Sequence, residues 1–223
     1  DHGDMLGERG LWYKMNMFEH SARVPLIISG PGVSKGTCES PCSLVDLLPT
    51  ILDIAHKEKP KMAMPIDGRS LWALAKGESE ENGEAIAEYC AECASHPMFM
   101  IRRGNYKYIH CDVDPPQLYD IKNDPQELNN LIADTAFKTM AQSFKKEVLS
   151  RWDSEAIRKN VIATQKQRRG LHAAMETGIR HSWDYNPPRD ASNEFVRNHM
   201  DWLVAQETKR HPRHQKTKIK LES

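Results

Sequence analysis

The sequence contains no apolar run long enough to span a bilayer, and its mean hydropathy of -0.67 is low for a compact globule. A chain built around membrane-spanning helices is therefore excluded. It also lacks an excess of charge of one sign, since 31 Lys and Arg balance 31 Asp and Glu. Chain-wide electrostatics supply no attraction toward nucleic acid. The one strongly basic stretch, residues 209–220, has no aromatics interleaved with its charges and reads as a solvated terminus. No disulfide framework is present: the 5 cysteines are odd in number and irregular in spacing. Cys90-Ala-Glu-Cys93 is a lone pair without a second one, and reads as two reduced thiols rather than a zinc or redox site. These absences together point to a reducing cytoplasm and to a chain with no nucleic-acid and no membrane partner.

What is present is concentrated at the start. Residues 1–23 hold carboxylates, imidazoles, one lysine and two arginines, punctuated by glycines. Asp1 and His2 are adjacent oxygen and nitrogen donors, and Gly3 lets the backbone turn tightly enough for both to approach one point. Lys14 follows among Leu11, Trp12, Tyr13, Met15 and Met17. A lysine in such company either snorkels or aims at an anion in a pocket. The pattern fits a metal-plus-anion site, and equally a polar turn leading into a buried strand.

Further along, Val24–Ser29 is a branched apolar run ended by Gly30-Pro31-Gly32, the pattern of a buried strand in a parallel sheet. Ser43 is placed to cap a helix over 44–55, with Leu44, Leu47, Leu48, Ile51 and Ile54 on one face and a kink near Pro49. A polar loop over 57–65 leads to a short helix starting near Ser70. The acidic loop 77–83 marks the best boundary. Beyond it, 85–94 and 99–111 read as strands, the latter turning at Arg103-Gly104-Asn105, with one face packed on a helix. Residues 135–167 form one long helical stretch whose stripe of Phe137, Met140, Phe144, Val148, Leu149 and Trp152 reads as core. From Gly170 the chain turns aromatic and proline-rich. Trp183, Tyr185, Phe195 and Trp202 would be costly in water, and predict docking on a neighbouring subunit or on the chain itself.

Two ordered signatures resemble the sulfatase family of the alkaline-phosphatase-like superfamily. The first is Asp1-His2-Gly3-Asp4 with Leu6-Gly7, Lys14, Phe18-Glu19 and Arg23-Val24-Pro25-Leu26. The second is Gln117-Leu-Tyr-Asp-Ile-Lys-Asn-Asp-Pro-Gln-Glu-Leu-Asn-Asn-Leu131. Glu88-Tyr89 with Glu92, Met100-Ile-Arg-Arg-Gly104 and Arg197-Asn-His-Met-Asp201 are similar to the choline sulfatase branch. The resemblance implies an α/β fold: the end of an alkaline-phosphatase-like core (1–82), a small antiparallel-sheet-plus-helix subdomain (83–169) and an extended tail (170–223) for homo-oligomerisation.

The resemblance also implies the site. Asp1 and His2 would contribute to a divalent-metal site, calcium by analogy with the family. His2 would either ligate or hydrogen-bond the ester, and Lys14 would contact the sulfate. A quaternary ammonium leaving group needs aromatic faces and a carboxylate, for which Glu92 is the first candidate, Glu88 the second and Asp201 a distant third. Asp4 and Glu8 are expected to pair with Arg9 or Arg23. One departure stands out: no Cys/Ser-x-Pro/Ala-x-Arg motif, the source of the family's formylglycine, occurs here. The expectation is a C-terminal part carrying half an active site, with the nucleophile upstream and no activity in isolation. The implied reaction is sulfate-ester hydrolysis. The rivals are a phosphonate or phosphodiester hydrolase of the same superfamily and a non-catalytic oligomerisation module.

Overall fold

The computed structural model describes residues 1–55, 63–79 and 83–178. In chain order it carries a 3-10 turn at Glu8–Gly10, α1 (Glu19–Ala22), a 3-10 turn at Leu44–Asp46 running into α2 (Leu47–Ala55), and α3 (Trp72–Ala75). Four strands follow: β1 (Glu84–Tyr89), β2 (Met98–Arg103), β3 (Tyr106–Cys111) and β4 (Asp114–Asp120). Two further 3-10 turns, Leu131–Ala133 and Thr135–Phe137, lead into α4 (Lys138–Arg151) and α5 (Ser154–Met175). Asp1–Ala163 forms one compact unit, and the expected division at 82/83 falls inside it. The remainder, from Thr164, belongs to a second unit whose described part is the exposed C-terminal half of α5 and the turn after it.

The sheet is an antiparallel meander in the order β1-β2-β3-β4. Arg103 pairs with Tyr106 across a two-residue turn, and Gly104 takes the positive φ of 54° that such a hairpin demands. β4 does not show in the sequence pattern, because Asp114-Pro-Pro reads as loop. It pairs with β3 alone, and an edge strand tolerates prolines that would break a central ladder.

Both faces of the sheet are packed, where the sequence suggested one. Phe99, Ile101, Tyr108 and Leu118 meet Ala141, Phe144 and Val148 of α4. On the other face Met100, Ile109, Tyr119 and Ile121 pack with Met17 from the N-terminal segment. That second layer brings residues 1–23 onto the sheet. It also explains why β3 is buried from Lys107 to Cys111 instead of alternating.

The long helical stretch is two helices. Trp152 leaves the helix to stack on Phe99, with ring centroids 4.9 Å apart. Asp153 then restarts the chain, its carboxylate accepting the Ala156 N–H at 2.9 Å. Phe144 and Val148 are core as expected, whereas Leu149 is 56% exposed. α5 continues through Gly170, so the tail's change of character begins later than the composition suggested. The tail aromatics lie outside the described residues, as does most of the 57–65 loop.

Two further expectations are corrected. Val24–Ser29 pairs with no strand among the described residues, and Ile27 is 88% exposed. A parallel-sheet strand needs neighbours, and the described strands all lie between 84 and 120. α2 is amphipathic but turned the other way. It buries Asp46 just before it, Pro49 and Thr50, and leaves Leu44, Leu48, Ile51 and Ile54 exposed. Polar contacts hold it: Asp46 accepts the N–H groups of Ser43 and Arg69, and the Thr50 hydroxyl donates to the Asp46 carbonyl. Pro49 sits in the first turn, where a missing N–H costs no intrahelical bond. The irregularity is the 3-10-to-α junction before it, not a kink at the proline.

Candidate functional site

Residues 5–13 close into a loop through Met5 N–H to Tyr13 O and Gly7 N–H to Leu11 O, both 2.9 Å. Leu6, Gly7, Arg9, Gly10 and Tyr13 all adopt positive φ, so the loop is tightly wound. Asp4 organises it. One of its oxygens accepts the Leu6 N–H at 3.0 Å and the Tyr13 N–H at 3.1 Å. Among the described residues the expected pairing of Asp4 with Arg9 or Arg23 does not form, and Asp4 serves the loop's own peptide donors. Arg9 instead donates to the Glu127 carbonyl and covers the Phe18 ring at 4.2 Å.

The loop returns Lys14 to the start of the chain. Lys14 Nζ lies 2.7 Å from His2 Nε2, while His2 Nδ1 lies 2.7 Å from the Gly3 carbonyl. A carbonyl only accepts, so Nδ1 carries the proton and the Nε2 lone pair accepts from the ammonium. Among the described residues one N–H of Lys14 is used, which leaves two for an anion. Asp1 is 87% exposed at its side chain and stands 3.8 Å from His2 Nε2.

Whether these residues fit the divalent metal implied by the family follows from their number. Among the described residues no group of three His, Cys, Asp or Glu could hold an ion. Asp1 and His2 offer three donor atoms at most, two carboxylate oxygens and one imidazole nitrogen, against six or more for a hard cation. The described residues alone do not form that site.

The same N-terminal segment, at Met17 and Glu19, meets a buried ionic cluster that the sequence pattern does not reveal. Lys107 is 1% exposed, and its Nζ contacts Glu127 at 2.9 Å, Glu19 at 2.5 Å and the Met17 carbonyl at 2.8 Å. Glu127, also 1% exposed, accepts the Glu19 N–H at 2.7 Å with its other oxygen. Nearby, burial lowers the pKa of Arg102 from its ordinary value, while Glu19 pulls it back up. The available signal was the final Glu of Asp-Pro-Gln-Glu127, a turn residue held at φ 55°. The rest of that signature is scaffolding. Asp124 accepts the N–H groups of Leu128 and Asn129, and Asn130 accepts that of Leu118.

Glu92 occupies the connection between β1 and β2, where the Tyr89 hydroxyl donates to its carbonyl at 3.0 Å and lies 3.4 Å from its carboxylate. Burial and the Glu92 charge raise the Tyr89 phenol above its ordinary pKa. Among the described residues, Glu92 has no hydrogen bond or ion pair with Asp1, His2 or Lys14. Glu88 lies in β1, and Asp201 falls outside the described residues. All five cysteines are free. Among the described residues no helix is long and apolar enough to cross a membrane.

The family model for the C-terminal part of N-sulphoglucosamine sulphohydrolase matches residues 7–154, and that for the C terminus of the choline sulfatase enzyme matches 159–211. The chain belongs to the sulfatase family. It is 40% identical over 216 residues to a choline-sulfatase of Rhizobium meliloti (strain 1021), covering 96% of this chain and 42% of that protein. The structure resembles a 2-O GAG sulfatase, with TM-score 0.53 and 26% identity over 67% of this chain and 34% of that one. It resembles a phosphonate monoester hydrolase of Agrobacterium radiobacter equally, with TM-score 0.53 and 26% identity over 67% and 33%. These solved structures carry the alkaline-phosphatase-like α/β fold of the family.

Proposed function

We propose that the whole protein hydrolyses a sulfate ester, and that the ester is choline sulfate, giving choline and sulfate. The observation that carries this is the 40% identity to a choline-sulfatase, extending over 96% of the chain and through the tail. The Lys14–His2 pair supports it, since an ammonium held by an imidazole and keeping free N–H donors suits a tetrahedral oxyanion. Lys14 contacts the sulfuryl oxygens in this reading, and His2 fixes Lys14 and its remaining donors. Glu92 is the carboxylate offered to the quaternary ammonium.

The chain spans 42% of the length of the choline-sulfatase that it matches. Exposed Leu26, Ile27, Leu44, Leu48 and Ile51 form apolar surface of the kind that the remainder of such an enzyme would cover. That remainder would bring the formylglycine nucleophile and further carboxylates, which together with Asp1 would hold a divalent ion, calcium in this reading. When bound, the ion would neutralise charge on the sulfuryl oxygens. The reading also places the enzyme in the cytoplasm, in keeping with its free cysteines, as a homo-oligomer assembled through the tail.

A second reading, phosphonate or phosphodiester hydrolysis, draws on the likeness to the phosphonate monoester hydrolase. Turnover of choline sulfate and of a phosphonate monoester by the full-length gene product separates the two. Preference for choline sulfate is expected, and preference for the phosphonate would overturn the assignment.

A further inference from the structure

Lys14 and His2 meet at 2.7 Å although both side chains are exposed and stand 12 residues apart. Something must hold their backbones in register. Ser21, in α1, holds the backbone on each side, at Lys14 and at Gly3 beside His2. Its carbonyl accepts the Gly3 N–H at 2.8 Å, fixing the residue next to His2. Its hydroxyl donates to the Lys14 carbonyl at 2.8 Å and lies 3.1 Å from the Asn16 carbonyl. At 2% exposure, no water competes for that hydroxyl.

α1 is itself anchored. Its first residue, Glu19, donates its N–H to buried Glu127 and pairs with buried Lys107. Gly3 completes the arrangement, because a Cβ there would sit 1.9 Å from the His20 carbonyl oxygen. The contacts thus run from the sheet through Lys107 to α1, and from Ser21 to the backbones of Lys14 and of Gly3, the residue after His2.

We propose that Ser21 is the positioning residue that sets the Lys14–His2 pair for anion binding. It rests on the proposed sulfate-ester chemistry but concerns a residue that does not touch the substrate. A Ser21 that merely satisfies a buried hydroxyl would contribute stability and nothing to the pair.

Thr50 supplies the control. It is 4% exposed, donates to the Asp46 carbonyl at 2.6 Å and accepts the Leu71 N–H at 2.8 Å. Ser21→Ala and Thr50→Ala in the full-length enzyme therefore remove comparable buried hydroxyls, one at the pair and one among the polar contacts of α2. The readouts are the inhibition constant of inorganic sulfate, KM and kcat for choline sulfate, and the imidazole ¹⁵N signal of His2.

Ser21→Ala is expected to raise the sulfate inhibition constant and KM about tenfold and to shift the His2 signal. Thr50→Ala, with a similar fall in melting temperature, is expected to leave all three unchanged. Ser21→Thr, which keeps the hydroxyl, is expected to hold the His2 signal near that of the unmutated enzyme. Equal behaviour of the two Ala variants overturns the proposal, as does a shift in Ser21→Thr as large as in Ser21→Ala. A His2 signal that responds to Ser21→Ala in an enzyme that neither binds sulfate nor cleaves the ester sustains the positioning role and overturns the sulfate reading.

Discussion

The Lys14 ammonium donates to the His2 imidazole across 2.7 Å, and the same imidazole donates from its other nitrogen to the Gly3 carbonyl. The relay fixes the imidazole tautomer and the direction of the lysine together. It turns two exposed polar side chains into one directed cation.

Lys14→Ala in the full-length enzyme is expected to lower kcat/KM for choline sulfate by roughly 10- to 100-fold, the range for losing a charge-assisted hydrogen bond. The larger part is expected in KM if the contact is made equally to bound ester and transition state. Steady-state kinetics with Lys14→Arg alongside checks it, since Arg keeps the charge but not the single-point geometry.

Lys107→Met removes the only cation recorded in contact with the Glu127 and Glu19 carboxylates among the described residues. Leaving buried carboxylates unpaired is expected to cost about 3–5 kcal/mol. Lys107→Met with Glu127→Gln is expected to recover part of that loss. Urea denaturation of both variants measures the difference.

Gly3→Ala forces a methyl group to 1.9 Å from the His20 backbone oxygen, which no side-chain rotation relieves. The segment bearing His2 must then move off Ser21. Lost sulfate inhibition with little change in melting temperature is expected, because Gly3 belongs to neither of the two apolar clusters on the sheet. Titration with inorganic sulfate, paired with thermal melting, tests this.

The surface network that ties β1 and β2 to α4 predicts an acid limb of stability. Hydrogen bonding from Arg103 lowers the Glu147 pKa; at Glu84 burial pushes upward, but the hydrogen bonds from Arg103 and Arg151 bring the net value down. Carboxylates with lowered folded pKa stabilise the fold fully above the unfolded value of about 4.3, and that contribution is lost as pH falls through the folded values. Melting temperature is expected to drop on acidification below about pH 4. In Glu84→Gln with Glu147→Gln that drop is expected to be shallower.

Much of the architecture was legible because it rests on local chemistry. The Arg103-Gly104-Asn105 turn places the β2–β3 hairpin, Ser43 and Asp46 start the helix at 44–55, and Asp124-Pro125 makes the turn that it promises. β4 stayed hidden because its prolines suppress strand character everywhere but at a sheet edge, and edge position is a property of the whole sheet. The break at Trp152 was equally invisible, since helical periodicity runs straight through it. Its cause is a ring on another strand.

The order of residues is enough to indicate the sulfatase family and, through that resemblance, to nominate Lys14, because each signature is a short local run of residues. Such a run cannot say which partners a charge finds. Lys107 lies 90 residues from the carbonyl that it binds, and Glu19 108 from the carboxylate that accepts its N–H. Only a fold that lays the N-terminal segment on the second face of the sheet makes those distances short, so the anchoring of α1 and the role of Ser21 emerge from packing rather than from pattern.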